Sequence, residues 1–529
     1  MSTQPGTEPG AEPRTEPGTE PGTDVIVVLT DQHRADVCAR EGFPLDTTPF
    51  LDSLGRSGAW FDRAYTTSPL CSPARTSLMT GRYPTAHRVT QNPANPLAVR
   101  GADLFSEARA AGYATAMIGK NHTYLDAGCA DHWVEFTHDG QAGQVSKALH
   151  KEFDAWLAAL RHRTYEKPTP FPVEAQNPHR IVDEALSWVA TVPADRPLLL
   201  VVSVPEPHNP YQVPEPYYSL FPEESLPPTR SGAGALEGKP FSWQYLRGLG
   251  EAAVTDYEGA IAPSRSNYFG MLRLIDDELR RLHEGLDDRH RVRERVIVAT
   301  ADHGDFAGEY GLVRKGAEIP DILARVPLVV DGDAVRACDG PRADHVSLAD
   351  LMPTLCEAMG RDIPAGVQGR SLWPMLTGRP YPAEEFAGVY VEQGMGGLPY
   401  GPEDIDVPAA GDARGPRPGL IFDGPDGEPR WDELNAVTQS GRRRKVRSGD
   451  WTLYADITGD FRLHDLRDDP LELVDRWSDP EAAEQRVRLL TQLAVWQMRA
   501  EDPLPEVPGG YPHKRDACGY LAPYMSRTS

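Results

Sequence analysis

Apolar positions along the chain gather into short continuous runs that stop abruptly at polar residues. DVIVVLTDQH (Asp24–His33) has the β-branched content of a strand buried on both faces, and it stops at Asp31. GYATAMIGKNH (Gly112–His122) follows an Ala-rich helical stretch and ends at Lys120 and His122. PLLLVVSVPEPHNP (Pro197–Pro210) is closed by prolines around His208. RVIVATADHGD (Arg295–Asp305) follows the amphipathic segment Tyr268–Leu286 and ends at Asp302 and His303, and ARVPLVVDGD (Ala324–Asp333) predicts a fifth strand. Strands separated by helical stretches imply an α/β fold with parallel pairing and helices on both sheet faces. Ligands of such sheets collect beyond the carboxyl ends of the strands, where Asp31, Lys120, His122, His208, Asp302 and His303 all stand. Taken singly, each is an ordinary turn acid or a structural histidine. Their shared position is what marks them.

The texture changes further along. Residues 395–445 are rich in Gly, Pro and Asp and read as a long loop or insertion. Val446–Leu466 alternates like a small antiparallel sheet, and Pro480–Glu501 reads as a closing amphipathic helix. The division expected is a tail over 1–23, a catalytic α/β unit over 24–394, the loop over 395–445 and a smaller C-terminal α+β subdomain over 446–529. The tail repeats a Thr-Glu-Pro-Gly unit and has no apolar run, which predicts disorder and neither a signal peptide nor a membrane span. The basic run Arg442–Lys445 reads as a solvated loop.

A net charge of -24 excludes general binding to a nucleic-acid backbone, whose affinity comes from Lys and Arg neutralising phosphates. Six cysteines lie far apart without metal-finger spacing, so reduced thiols and a cytoplasmic location are expected. Asp31 and Asp302, with Gln32 and His303 beside them, offer oxygen donors and one imidazole from two strands, a set suited to a hard or borderline divalent cation. In SPLCSPARTSLMTGRYP (Ser68–Pro84), Ser72 is placed to cap a helix that Pro73 opens and Gly81 closes. Cys71 then stands at the positive end of that helix, with Arg75 able to turn back toward it. An activated thiolate and a small buried structural residue are both open readings of Cys71 from position alone.

CSPAR followed by TSLMTGRYP resembles the type I sulfatase signature, Cys-x-Pro-x-Arg with its Thr-Gly-Arg continuation. The similarity continues in order through TDQH, GKNH, PEPHNPY, ADHGD, GLVRKG, RVPLVV, HVSLADLMPTLCEAMG and GRSLWPMLTG, and LHDLRDDPLELVDRWSDPE resembles the family's C-terminal strand and turn. It spans about residues 24 to 500. The resemblance implies an alkaline-phosphatase-like fold: a large mixed, mostly parallel sheet sandwiched by helices. It implies that Cys71 is oxidised to Cα-formylglycine by a formylglycine-generating enzyme, and that the aldehyde hydrate is the nucleophile. Asp31, Gln32, Asp302 and His303 would hold the metal, with an oxygen of modified Cys71 at the cation. Arg75 and Lys120 would orient the hydrate, His122 would be the base, and His208 with Lys315 would bind the sulfate and assist the leaving oxygen. Arg314, beside Lys315 in GLVRKG, reads as its solvated partner.

One hydroxyl of such a hydrate attacks sulfur and expels the alcohol, and deprotonation of the second lets the aldehyde re-form as sulfate departs. Many relatives carry Asp-Asp and Asp-Asn where this chain has Asp31-Gln32 and Asp302-His303. Calcium is the cation the resemblance favours, with manganese and magnesium as alternatives. The same pairs resemble the phosphonate monoester hydrolase branch. Hydrolysis of a small-molecule sulfate monoester is therefore the leading expectation. Phosphodiester or phosphonate ester hydrolysis is the runner-up, and a non-catalytic relative is the third reading. The alcohol and the oligomeric state are not written in the sequence.

Overall fold

A computed structural model describes residues 22–290, 293–407, 433–501 and 516–521. The expected tail lies outside these residues up to position 21, as does 408–432 of the expected loop. Asp24–Thr30 is the central strand and is buried throughout. Its alternation sends Val25, Val27 and Leu29 into one apolar layer and Ile26 and Val28 into the other, which is why the run carries no polar alternation. From one edge, the eight-stranded sheet runs Ala59–Phe61, Leu328–Gly332, Arg295–Ala301, Asp24–Thr30, Leu198–Val204, Ala114–Gly119, His132–Thr137 and Gly140–Gln141. The central strand pairs in parallel with Leu198–Val204 and Arg295–Ala301. Ala114–Gly119 pairs in parallel with Leu198–Val204 and His132–Thr137. Leu328–Gly332, the fifth strand expected, runs antiparallel to Arg295–Ala301, and the two outermost pairings are antiparallel as well. The sheet is mixed and mostly parallel, with its parallel strands ending together on one side.

Helices cover both faces. Cys71–Thr80, Leu104–Ala110 and Leu351–Ala358 pack one layer through Ala74 and Leu78, Leu104 and Phe105, and Leu351 and Leu355. Pro49–Ser57, Asn177–Val189 and Ile261–Gly285 pack the other through Leu51 and Leu54, Ile181 and Ala185, and Ile275 and Leu279. A second, antiparallel sheet is ordered Val389–Gln393, Arg443–Ser448, Trp451–Asp456, Phe461–Asp465, and helix Ala483–Glu501 covers it through Leu489, Leu493 and Trp496.

The basic run departs from expectation after Arg442, which is exposed. Arg443, Lys445 and Arg447 share one face of a strand and are buried, meeting Glu318 at 3.7 Å, Glu472 at 2.6 Å and Asp321 at 3.8 Å respectively. Buried acids on two other segments, Glu318 with Asp321 and Glu472, pair with these cations, and a count of net charge does not register such pairing. All six cysteines are free. Among the described residues no helix is long and apolar enough to cross a membrane.

Candidate active site

Sequence-distant segments converge at the carboxyl end of the sheet. The helix that carries Cys71 runs Cys71–Thr80 and starts two residues earlier than expected, with Leu70 in extended conformation at its cap. Ser72 is therefore inside the helix and does not cap it. The Ser72 N–H instead donates to Asn92 Oδ1 at 3.0 Å, so a side chain from outside satisfies one of the helix's unpaired donors. Pro73 falls where an intrahelical N–H bond is not made in any case. At the other end Gly81 adopts φ +64, and a Cβ there would stand 2.7 Å from Val367 Cγ1.

Cys71 is 1% exposed, and its Sγ lies 3.2 Å from His303 Nε2 and 3.7 Å from Asp31 Oδ1. Burial and the Asp31 carboxylate raise the thiol, but Lys120, Lys315 and His303 outweigh them and hold it well below its ordinary range. Arg75 turns toward the carboxylates. Its Nε donates to Asp302 Oδ2 at 2.7 Å and its Nη2 to Asp31 Oδ2 at 3.1 Å, while Nη1 donates to Lys120 O at 2.8 Å and Ser203 Oγ at 2.7 Å. Lys120 Nζ also pairs with Asp31 Oδ2. Burial raises Asp31, but Lys120, His208 and Arg75 carry it well below the carboxylate range. Asp302 moves up instead, through burial and the charge of Asp31, because it shares Arg75 and has no lysine of its own.

Gln32 sits just past the central strand at φ 64, an uncommon backbone for a residue with a Cβ. Its Oε1 accepts from Lys315 Nζ at 2.5 Å and its Nε2 donates to Asp305 Oδ2 at 2.7 Å, which also accepts from Tyr211 Oη at 2.7 Å. Lys315 is buried, and Glu433 stands 3.9 Å from its Nζ. Arg314 is not solvated as expected. It is buried, donating to His162 O at 2.6 Å and lying 3.3 Å from Glu433, an acid from the segment that had read as a loop.

His208 is buried and donates Nδ1–H to Asn209 O at 2.7 Å, which leaves Nε2 as its free nitrogen. Burial, His138 and Lys315 hold it well below the ordinary imidazole range. His122 has φ 54, and its Nδ1 is buried without a hydrogen-bond partner. Among the described residues no hydrogen bond or ion pair joins its ring to the Cys71 cluster. Sequence reasoning missed Ser203, Asp305, Tyr211, Glu433, Asn92 and His138. Ser203, next to last in strand Leu198–Val204, and His138, in the turn that ends strand His132–Thr137, follow the strand-end rule; His138 escaped because its strand, next to the sheet edge, is only partly buried.

The donor set fits a divalent cation. One ligand atom each from Asp31, Cys71, Asp302 and His303 lies within 4.8 Å of the others, all four residues buried. His303 donates Nδ1–H to Gly304 O at 3.0 Å, turning Nε2 toward the two carboxylates in the tautomer that metal-ligating histidines use. Burial lowers His303, yet Asp302 and Cys71 raise it further, a mark of surplus negative charge at this point.

The family model described as Sulfatase matches residues 23–361. The multifunctional alkaline phosphatase superfamily protein PehA of Trinickia caryophylli is 30% identical over 403 residues, covering 68% of this chain and 78% of that protein. The arylsulfatase of Clostridium perfringens is 26% identical over 67% of this chain and 79% of its own length. Among solved structures, the phosphonate monoester hydrolase SpPMH from Silicibacter pomeroyi superposes with a TM-score of 0.71 over 91% of this chain and 96% of that one, at 20% identity.

Proposed function

Because the chain belongs to the sulfatase family, we propose that it hydrolyses a small-molecule sulfate monoester at the cluster around Cys71, after conversion of that cysteine to Cα-formylglycine. The observation that carries this reading is the setting of Cys71: a side chain 1% exposed, at a helix start, between a carboxylate–imidazole set and the cations Lys120, Lys315 and Arg75. No alternative as a structural hydrophobe explains why charges of both signs are gathered around it.

In this scheme Asp31, Asp302 and His303 hold a divalent cation, with Gln32 lending its amide oxygen. Calcium is the leading candidate, and the imidazole donor also suits manganese. The cation, when bound, neutralises charge on the ester oxygens and on the nucleophile. Arg75 fixes the two carboxylates, while Lys120 and Lys315 neutralise sulfate oxygens as charge shifts toward the leaving group. An anionic ester raises His208 toward the form that can protonate the departing alcohol oxygen, and His122 is the proposed acceptor of the hydrate proton. A formylglycine-generating enzyme is the maturation partner and the cytoplasm the proposed location.

A second reading is supported by the similarity to PehA, a multifunctional alkaline phosphatase superfamily protein, and by the Asp31-Gln32 and Asp302-His303 pairs. It is hydrolysis of phosphodiesters or phosphonate monoesters at the same cluster. Turnover of 4-nitrophenyl sulfate, bis-4-nitrophenyl phosphate and phenyl phosphonates, with peptide mass spectrometry on Cys71 after co-expression with the modifying enzyme, ranks the two. Sulfate preference with an aldehyde at Cys71 is expected. A clear phosphodiester preference would reverse the order, and an unmodified thiol in fully active protein would remove the aldehyde from the scheme.

A further inference from the structure

His138 stands in the tight turn between strands His132–Thr137 and Gly140–Gln141, at the same sheet end as the cluster around Cys71. Its ring lies flat on His208, with centroids 3.7 Å apart and planes at 19°, and His162 meets both rings edge-on at 5.8 and 6.0 Å. Its Nε2 is 2.8 Å from Lys120 Nζ. An ammonium has donors and no lone pair, so Nε2 must be the acceptor in that contact and the ring proton must sit on Nδ1. The Nδ1 atom is buried and has no hydrogen-bond partner. A buried N–H without an acceptor is costly, and its usual explanation is a ligand or water that the site is built to hold. His208 cannot offer the same group, because its Nδ1–H is already given to the Asn209 carbonyl.

We propose that His138 is a further substrate-binding residue, its Nδ1–H donating to an oxygen of the tetrahedral sulfuryl or phosphoryl group while its Nε2 holds the Lys120 ammonium. The inference rests on the reading of this cluster as an ester-anion pocket. Burial and the neighbouring Lys120 keep the ring neutral, which suits a fixed donor. The neighbours whose charge acts on the ring are Lys120, Asp31 and Lys315 of the cluster, and His162 beside it.

Two substitutions separate the two nitrogens. His138→Asn keeps a donor near the δ position and gives up the acceptor for Lys120, whereas His138→Gln keeps an acceptor near the ε position and gives up the donor. Calorimetric titration with inorganic sulfate and inorganic phosphate reads oxyanion binding without requiring turnover. His138→Gln is expected to weaken binding about tenfold or more, as loss of one bond to a charged oxygen does, with His138→Asn within about threefold of the parent protein. Parental binding by His138→Gln would overturn the proposal. So would equal weakening in both variants with parallel losses of thermal stability, which would make the ring a structural support. Failure of the parent protein to bind either oxyanion would overturn it too. Oxyanion binding that follows the expected order in protein that turns over no ester would instead refute the hydrolase reading and leave the His138 assignment standing.

Discussion

Arg75→Lys tests whether one guanidinium organises the candidate site. Arg75 is 1% exposed and joins residues at the ends of four neighbouring strands: Asp302, Asp31, Ser203 and the Lys120 carbonyl, at 2.7 to 3.1 Å. Lysine keeps the charge, but its shorter, single ammonium cannot reproduce a fork spread over two carboxylates, a carbonyl and a hydroxyl. At least two charge-assisted bonds, worth about 1.5–3 kcal/mol each, are lost. Their sum starts at about 3 kcal/mol, the low end of the 3–5 kcal/mol typical when a buried pair is broken outright. Urea unfolding followed by tryptophan fluorescence reads the change as a lower midpoint at an unchanged slope. Because Asp31 and Asp302 then repel each other with less compensation, ester turnover should fall along with stability. A loss below about 1 kcal/mol would refute the argument that this side chain holds the strand ends together.

Two further outcomes follow from buried acids away from the cluster. Glu318 accepts from Trp243 Nε1 at 2.9 Å, Tyr454 Oη at 2.7 Å and Arg462 at 2.9 and 3.0 Å; burial raises it, but Arg462 and Arg443 bring it to about 2. Its contribution is complete above its unfolded value near 4.5 and disappears as pH falls through about 2, so Glu318→Ala should cost about 3–5 kcal/mol at pH 7 and progressively less in acid, as measured by urea midpoints across that range. Asp276 accepts from the Phe50 and Leu51 N–H groups at 2.7 and 2.8 Å, yet burial raises it to about 7. Between its unfolded value near 3.8 and about 7 the folded chain holds the extra proton, so stability falls as pH rises through this window, by on the order of 4 kcal/mol in all. Asp276→Asn should flatten that part of the stability profile, and an unchanged slope would contradict the assignment.

The strands that run through the middle of the sheet were legible because burial on both faces leaves an unbroken apolar signature, and the rule that ligands gather at strand ends then led to Asp31, Lys120, His208, Asp302 and His303. Residues that act from irregular segments left no such trace. Glu433 meets Arg314 only because the chain returns to the site after a long excursion, and Asn92 reaches the Ser72 N–H from the start of a short 3-10 helix, Asn92–Leu97, broken up by prolines. Arg443 and Lys445 misled for a different reason. Alternation along a strand was present in the sequence, but the acids they face lie more than a hundred residues earlier in the case of Glu318, so a run of like charge looked solvated when it was paired.

Val389–Gln393 and Arg443–Ser448 are hydrogen-bonded neighbours, so residues 394–442 leave the second sheet and return to the adjoining position. The cost of closing such an excursion is set by the ends, which the sheet already holds together, and grows by only about 0.6 kcal/mol for each doubling of length. The intervening chain is thus free to lengthen, shorten or change composition at little expense to the fold, while its returning limb still delivers Glu433 to Arg314 and Lys315. Anchored in this way, the excursion can vary while the paired strands at its two ends keep their register.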